Sequence, residues 1–169
     1  YYMGQEEHPD DYQILIDRFI KSLNISKEDG LLLVGHGGLG SGNSSYGNLQ
    51  FKLIRDGLTN VRIAVLENAP YVADVAMPWE WLDGKRPNTI YVHPLLLVLG
   101  DHAQNDLFGD EEDSVINELT DYGYEVKPIH SALGEYEAIQ DIFRQHVQDC
   151  IDDLYGKRSP HRPTIPNIK

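Results

Sequence analysis

Apolar residues along this chain recur in two rhythms. Short runs rich in Val, Ile and Leu occupy residues 31–35, 61–66, 89–100 and 124–129, bounded by Gly, Asp and Pro. Continuous runs of that size suit parallel strands buried on both faces. Between them the spacing changes to three and four residues. Tyr12, Leu15, Ile16, Phe19, Ile20 and Leu23 make one helical stripe, with Asp10 and Asp11 where the helix dipole favours negative charge. Tyr46, Leu49, Leu53 and Ile54 predict a second helix. Tyr71, Val72 and Val75 predict a short third, stopped near Pro78, and Val115, Ile116, Leu119 and Tyr122 a fourth. Ile139, Ile142, Phe143, Val147, Cys150, Ile151 and Leu154 predict a long last helix. Strands alternating with helices imply right-handed crossovers. The expected fold is α/β: a parallel sheet of about four strands with helices on both faces. Residues 1–156 read as one such lobe, and residues 157–169 as a Pro-rich basic tail.

In open parallel sheets, ligands bind beyond the carboxyl ends of the strands. His36 follows the first run, Glu67 the second, Asp101 and His102 the third, and His130 and Ser131 the fourth. His36, Glu67 and His102 therefore occupy equivalent places at three strand ends. Two imidazoles and a carboxylate suit a divalent metal and leave positions open for a substrate. The small residues around His36 leave room for a large flat ligand.

Blander readings stand beside this one. His36 and His102 also read as hydrogen-bonded loop histidines, and Glu67 as a cap of the next helix. His93 lies inside a strand and reads as structural, and His146 as packed. His130 is ambiguous, and His8 and His161 do not read as ligands. Cys150 reads as a small buried residue. Trp79 and Trp81 suit either stacking on a ring or covering the core. A rival motif is present too. Gly35, Gly37 and Gly40 fit G-x-G-x-x-G after a strand, with Glu67 ending the next, which is the outline of a dinucleotide fingerprint. Against it, the loop continues as Ser41-Gly42-Asn43 instead of opening a helix, and the histidines have no role.

Composition narrows the choices. At 169 residues, with 41% hydrophobic and 24% charged, the chain has the balance of one globular domain rather than of a disordered segment. The formal charge of −13 argues against nucleic acid as a partner. No apolar run approaches the roughly 18–20 residues of a membrane span. The single cysteine excludes an internal disulfide framework and a cysteine-rich metal cluster. A start at Tyr1 suggests a processed or cut N-terminus. A cytoplasmic location is expected, with a periplasmic one left open if a signal has been removed.

Several motifs carry a family resemblance. Leu31-Leu32-Leu33-Val34-Gly35-His36-Gly37 resembles the metal-binding strand and loop of class II tetrapyrrole chelatases. His93-Pro94-Leu95-Leu96-Leu97-Val98-Leu99-Gly100-Asp101-His102-Ala103-Gln104-Asn105-Asp106 resembles the signature of the anaerobic sirohydrochlorin cobaltochelatases. Gly109-Asp110-Glu111-Glu112-Asp113-Ser114 continues it. Val65-Leu66-Glu67-Asn68-Ala69-Pro70 is similar to the carboxylate-bearing segment, and Ser131-Ala132-Leu133-Gly134-Glu135 to the loop before the last helix.

The resemblance implies insertion of a divalent metal into sirohydrochlorin, as in anaerobic cobalamin biosynthesis. The metal is a substrate, cobalt first, with iron or nickel as alternatives, and no organic cofactor is expected. His36, Glu67 and His102 would be the metal ligands and catalytic groups. Gly37, Gly38, Ser131 and Gly134 would contact the tetrapyrrole. Lys52, Arg55, Arg62, Lys85 and Arg86 are the local basic candidates for its carboxylates. The resemblance further implies that this is the C-terminal lobe of a two-lobe protein, with Tyr1-Tyr2-Met3-Gly4 crossing over from the other lobe. A second lobe or a second copy is the expected partner. A haem or tetrapyrrole carrier on the same scaffold is the non-enzymatic alternative, and a dinucleotide-binding domain the remaining one.

Overall fold

A computed structural model describes residues 10–38, 41–77, 79 and 84–155. His8, Gly40, Pro78, Trp81 and His161, the segment 1–4 and the tail at 157–169 lie outside these residues. Among the described residues the chain packs as two units, one within residues 24–134 and one made of residues 10–23 with 135–155.

The larger unit is built on strands β1 (Gly30–Gly37), β2 (Val61–Glu67), β3 (Thr89–Pro94) and β4 (Glu125–Pro128). All pairings are parallel and the order is β2-β1-β3-β4. This is the expected α/β architecture. Because side chains alternate along a strand, Leu32, Val34, Ala64, Ile90 and Val92 share one face. They form a core with Val72 and Ala76 of α3 (Val72–Ala76), Leu107 of α4 (Asp101–Phe108), and Val115 and Leu119 of α5 (Val115–Asp121). Helix α2 (Ser44–Arg55) lies on the alternate face, where the Tyr46 ring covers Gly35. It also caps the sheet edge. The Gln50 amide donates to the Val61 carbonyl (3.0 Å) and accepts from the Ile63 N–H (2.9 Å), doing for edge strand β2 what a neighbouring strand would do.

Trp79 belongs to this core and is 2% exposed, so it covers the interior and is not free to stack on a ligand. Arg62, expected among the basic groups for a ligand, is also buried. Its guanidinium donates to the Thr59 and Trp79 carbonyls and lies over the Trp79 ring.

The third apolar run departs from expectation. Its composition predicts a strand to residue 100, but β3 ends at Pro94. Leu95 N–H makes one last bond to the Val34 carbonyl (2.7 Å), and the chain then leaves the ladder. Its neighbour β4 ends at Pro128, after which the Ile129 N–H makes one last bond to the Val92 carbonyl (2.8 Å). The carbonyls of Leu96 and Leu97 instead accept from the N–H groups of Leu133 (2.8 Å) and Gly134 (3.0 Å).

In the smaller unit, α1 (Asp11–Ile14) begins with the Asp10 carboxylate accepting from the Gln13 N–H, an N-cap. The helix continues as a wider π turn at Leu15–Phe19 and a 3-10 turn at Ile20–Leu23. Helix α6 (Glu137–Leu154) pairs with it through Arg18–Asp141 and His146–Asp11 contacts. The last helix thus forms where expected, but its faces do not fall as expected. Ala138, Ile139 and Asp149 are buried, whereas Phe143, Val147, Ile151 and Leu154 are exposed. Cys150 is exposed too, contrary to its reading as a buried residue. The buried side lies about one position round the helix from the apolar stripe.

Candidate functional site

Strand order reverses between β1 and β3: the chain runs from β1 to β2 on one side and returns to β3 on the other. In open parallel sheets such a reversal marks the carboxyl-edge position where loops part and ligands bind. His36 lies at the end of β1, and His102 lies in the first turn of α4, just after the loop from β3. Both are exposed.

The end of β1 is shaped by glycine. At Gly35 a Cβ would fall 2.4 Å from the Tyr46 ring, so only glycine lets that ring close over the strand. At Gly37, φ is +80° and a Cβ would fall 1.9 Å from the Glu67 carbonyl oxygen. Gly37 and Glu67 are partners in the ladder. The missing side chain is what lets the ends of β1 and β2 run this close. One result is that His36 Nδ1 stands 4.0 Å from Glu67 Oε2. Both side chains are 62% exposed. An exposed pair at that distance contributes at most about 1 kcal/mol to stability. His36 Nδ1 also lies 3.3 Å from the Gly37 carbonyl, so the positions offered to a ligand are His36 Nε2 and the Glu67 carboxylate.

Side-chain amides hold the neighbouring turn. Asn68 takes φ +68°, a conformation that asparagine tolerates better than most residues. Its Nδ2 donates to the Gly38 carbonyl (3.1 Å), which ties the loop after β2 to the loop after β1. Sequence reasoning passes over Asn68; its position between a strand end and Ala69-Pro70 is the available signal.

The structure thus brings His36 and Glu67 together. Among the described residues, no three His, Cys, Asp or Glu side chains are grouped so as to hold a metal ion. His102 shares the edge with the pair without closing a three-ligand cluster.

Of the positions expected at the tetrapyrrole, Gly37 and Gly38 form the turn beside His36. Ser131 stands against buried His93. The Pro94 carbonyl lies 2.7 Å from His93 Nδ1, which must therefore donate, and leaves Nε2 to accept from Ser131 Oγ (3.5 Å). His93 is structural, as its strand position suggested. Gly134 pins the loop after β3, and a Cβ there would meet the Leu97 carbonyl oxygen at 2.7 Å.

The basic candidates do not gather at the carboxyl edge: Lys52 and Arg55 lie in the last turn of α2, past Gln50, which bonds to the start of β2. Arg62 opens β2, and Lys85 and Arg86 precede β3, so these three lie by the amino ends of the strands, opposite the carboxyl edge. Lys85 pairs with Glu28 (3.5 Å), and Arg86 donates to the Tyr122 carbonyl. Arg55 pairs with Asp56 at 3.0 Å. The rival fingerprint also loses its logic. Helix α2 begins only at Ser44, after a 3-10 turn at Ser41–Asn43, and Gly37 is required by a neighbouring strand.

Comparison with known proteins bears on the family and the fold. Residues 1–152 match the family "Cobalt chelatase (CbiK)". The sirohydrochlorin cobaltochelatase of Salmonella typhimurium LT2 is 26% identical over 129 residues, 76% of this chain and 47% of that protein. The chain thus spans about half the length of that curated relative. A cobalamin (vitamin B12) biosynthesis CbiX protein from Marinobacter aquaeolei VT8 shares the fold, with a TM-score of 0.51 and 18% identity over 74% of this chain and 98% of that one. The motifs at the carboxyl edge, the parallel sheet beneath them and a family match over nearly the whole chain lead to one assignment: this chain belongs to the cobalt chelatase (CbiK) family.

Proposed function

We propose that this chain inserts a divalent metal ion into a tetrapyrrole, with cobalt and sirohydrochlorin as metal and ring. The observation that carries the reading is the exposed His36–Glu67 pair, 4.0 Å apart at the carboxyl edge where the strand order reverses. His102, in the first turn of α4 at the same edge of the sheet, is the third group of the proposed metal set. The ring gives up two pyrrole N–H protons as the dication enters, so charge balances. A neutral imidazole can accept such a proton, and a carboxylate beside it stabilises the imidazolium that results. Gly37, Gly38, Ser131 and Gly134 are the proposed tetrapyrrole-side positions.

A flat ring needs a second wall, and a second lobe or a second copy of this chain is the proposed partner. A stable pairing should bury roughly 1,000 Å² or more. Among the described residues no helix is long and apolar enough to cross a membrane.

The test is anaerobic turnover of metal-free sirohydrochlorin with Co2+, followed by absorbance, for the chain and for His36→Ala, Glu67→Gln and His102→Ala. Loss of turnover in all three with unchanged thermal stability supports the assignment. Ring binding without metal insertion would favour the carrier reading instead. Sedimentation of the working mixture decides the second wall. A strictly monomeric particle that still turns over would refute it.

A further inference from the structure

Two large apolar side chains stand exposed in the loop after β3. Leu97 is 47% exposed and Val98 76%. Their place is specific. Leu95 leaves the sheet beside Val34 of β1, two residues before His36, so the loop rises next to the turn that carries His36. The same loop leads directly into α4 and His102. Exposed apolar groups thus stand on the loop that neighbours the end of β1, which carries one member of the polar pair.

This loop is also held in shape. Two consecutive carbonyls, Leu96 and Leu97, accept from two consecutive N–H groups, Leu133 and Gly134. The chain at residue 134 comes so close that a Cβ would meet the Leu97 carbonyl oxygen at 2.7 Å. Exposed apolar side chains are ordinary when scattered singly. Two adjacent ones on a doubly bonded loop, beside exposed ionisable groups, have the makeup of a ligand site: apolar surface with few, placed polar groups.

We propose that Leu97 and Val98 form an apolar platform that receives one face of the tetrapyrrole ring, held at its height by the backbone clamp from Leu133 and Gly134. The proposal rests on the reading of this chain as a tetrapyrrole metal-insertion protein. A macrocycle is flat and apolar across its faces and charged at its rim. Burying its face against Leu97 and Val98 removes apolar surface from water on both sides. The imidazole and carboxylate of His36 and Glu67 remain beside it to meet the metal and the pyrrole protons. The clamp sets where the ring lies.

The experiment uses the full chain, titrated with metal-free sirohydrochlorin by fluorescence and, separately, with Co2+ alone by calorimetry. Leu97→Ser and Val98→Ser are each expected to weaken ring binding about tenfold, the effect of losing part of a buried aliphatic side chain. Cobalt binding should stay unchanged in both. Val98→Leu should bind the ring like the parent chain. Phe51→Ser, an equally exposed apolar truncation on α2, should also leave ring binding unaltered. Ring affinity in Leu97→Ser and Val98→Ser equal to that of the parent overturns the platform and leaves the metal-insertion reading standing. A parallel loss of cobalt binding overturns it as well, because the loop would then be acting on the shape of the metal-binding edge. A parent chain that binds cobalt but no tetrapyrrole ends the underlying reading and the platform with it.

Discussion

Replacing Gly37 by alanine tests how β1 and β2 come together at the site. Two costs apply. An alanine at φ +80° costs about 1 kcal/mol. The new Cβ would also stand 1.9 Å from the Glu67 carbonyl oxygen, where real contacts stay beyond 3.0 Å. The strands must part by about an ångström at that rung, which loosens a ladder hydrogen bond worth about 1 kcal/mol and the packing around it. With about 1 kcal/mol more for the disturbed packing, the sum is about 3 kcal/mol. For a chain of this size that lowers Tm by about 6–12 °C. Gly57→Ala separates the two costs. Gly57 has φ +76° and open space around it, so only the backbone term of about 1 kcal/mol applies there. Differential scanning calorimetry of both variants gives the difference directly. Cobalt titration should then show Gly37→Ala weakened, because Glu67 moves with its carbonyl, and Gly57→Ala unaltered. Equal Tm values for the two variants would refute the argument that close strand approach, rather than backbone conformation, demands glycine beside His36.

Two further outcomes rest on packing and charge. Trp79→Ala should destabilise the larger unit by about 3–5 kcal/mol in urea unfolding, since it empties a buried site and leaves the Arg62 guanidinium without its aromatic cover. Asp141 is held below its ordinary carboxylate value by hydrogen bonds, first from Arg18 and then from Arg144. A carboxylate with a depressed folded value contributes stability that is present above about pH 4 and is lost as the pH falls through that lower value. Asp141→Asn should therefore show a smaller loss of stability than the parent between pH 5 and about pH 2 in acid titrations followed by circular dichroism, with a small effect because the pair is exposed.

Much of this protein is legible in the order of its residues. Strand and helix types come from apolar spacing, which is a local property, and the alternation of elements implies a parallel sheet with its ligand edge at the carboxyl ends. The two histidines and the glutamate stand out because each comes at or just beyond the end of an apolar run. The ambiguous stretch is residues 95–100, because a short apolar run reads alike as strand or loop. Its backbone partners are Leu133 and Gly134, more than thirty residues away in the chain, and no local pattern announces them. Burial on α6 escapes the sequence for a similar reason. The stripe through Phe143, Val147 and Ile151 has helical spacing, but a different side, carrying Ala138, Ile139 and Asp149, is the one buried. The meeting of His36 with Glu67 is likewise a matter of register. Residues 31 apart are brought within 4.0 Å because Gly37 pairs with Glu67 in the ladder, and that pairing holds only where two backbones can touch. Spacing along the chain determined which groups reach the edge of the sheet; the register between strands decided which of them stand side by side, because cross-strand distance is set by backbone contact and not by sequence separation.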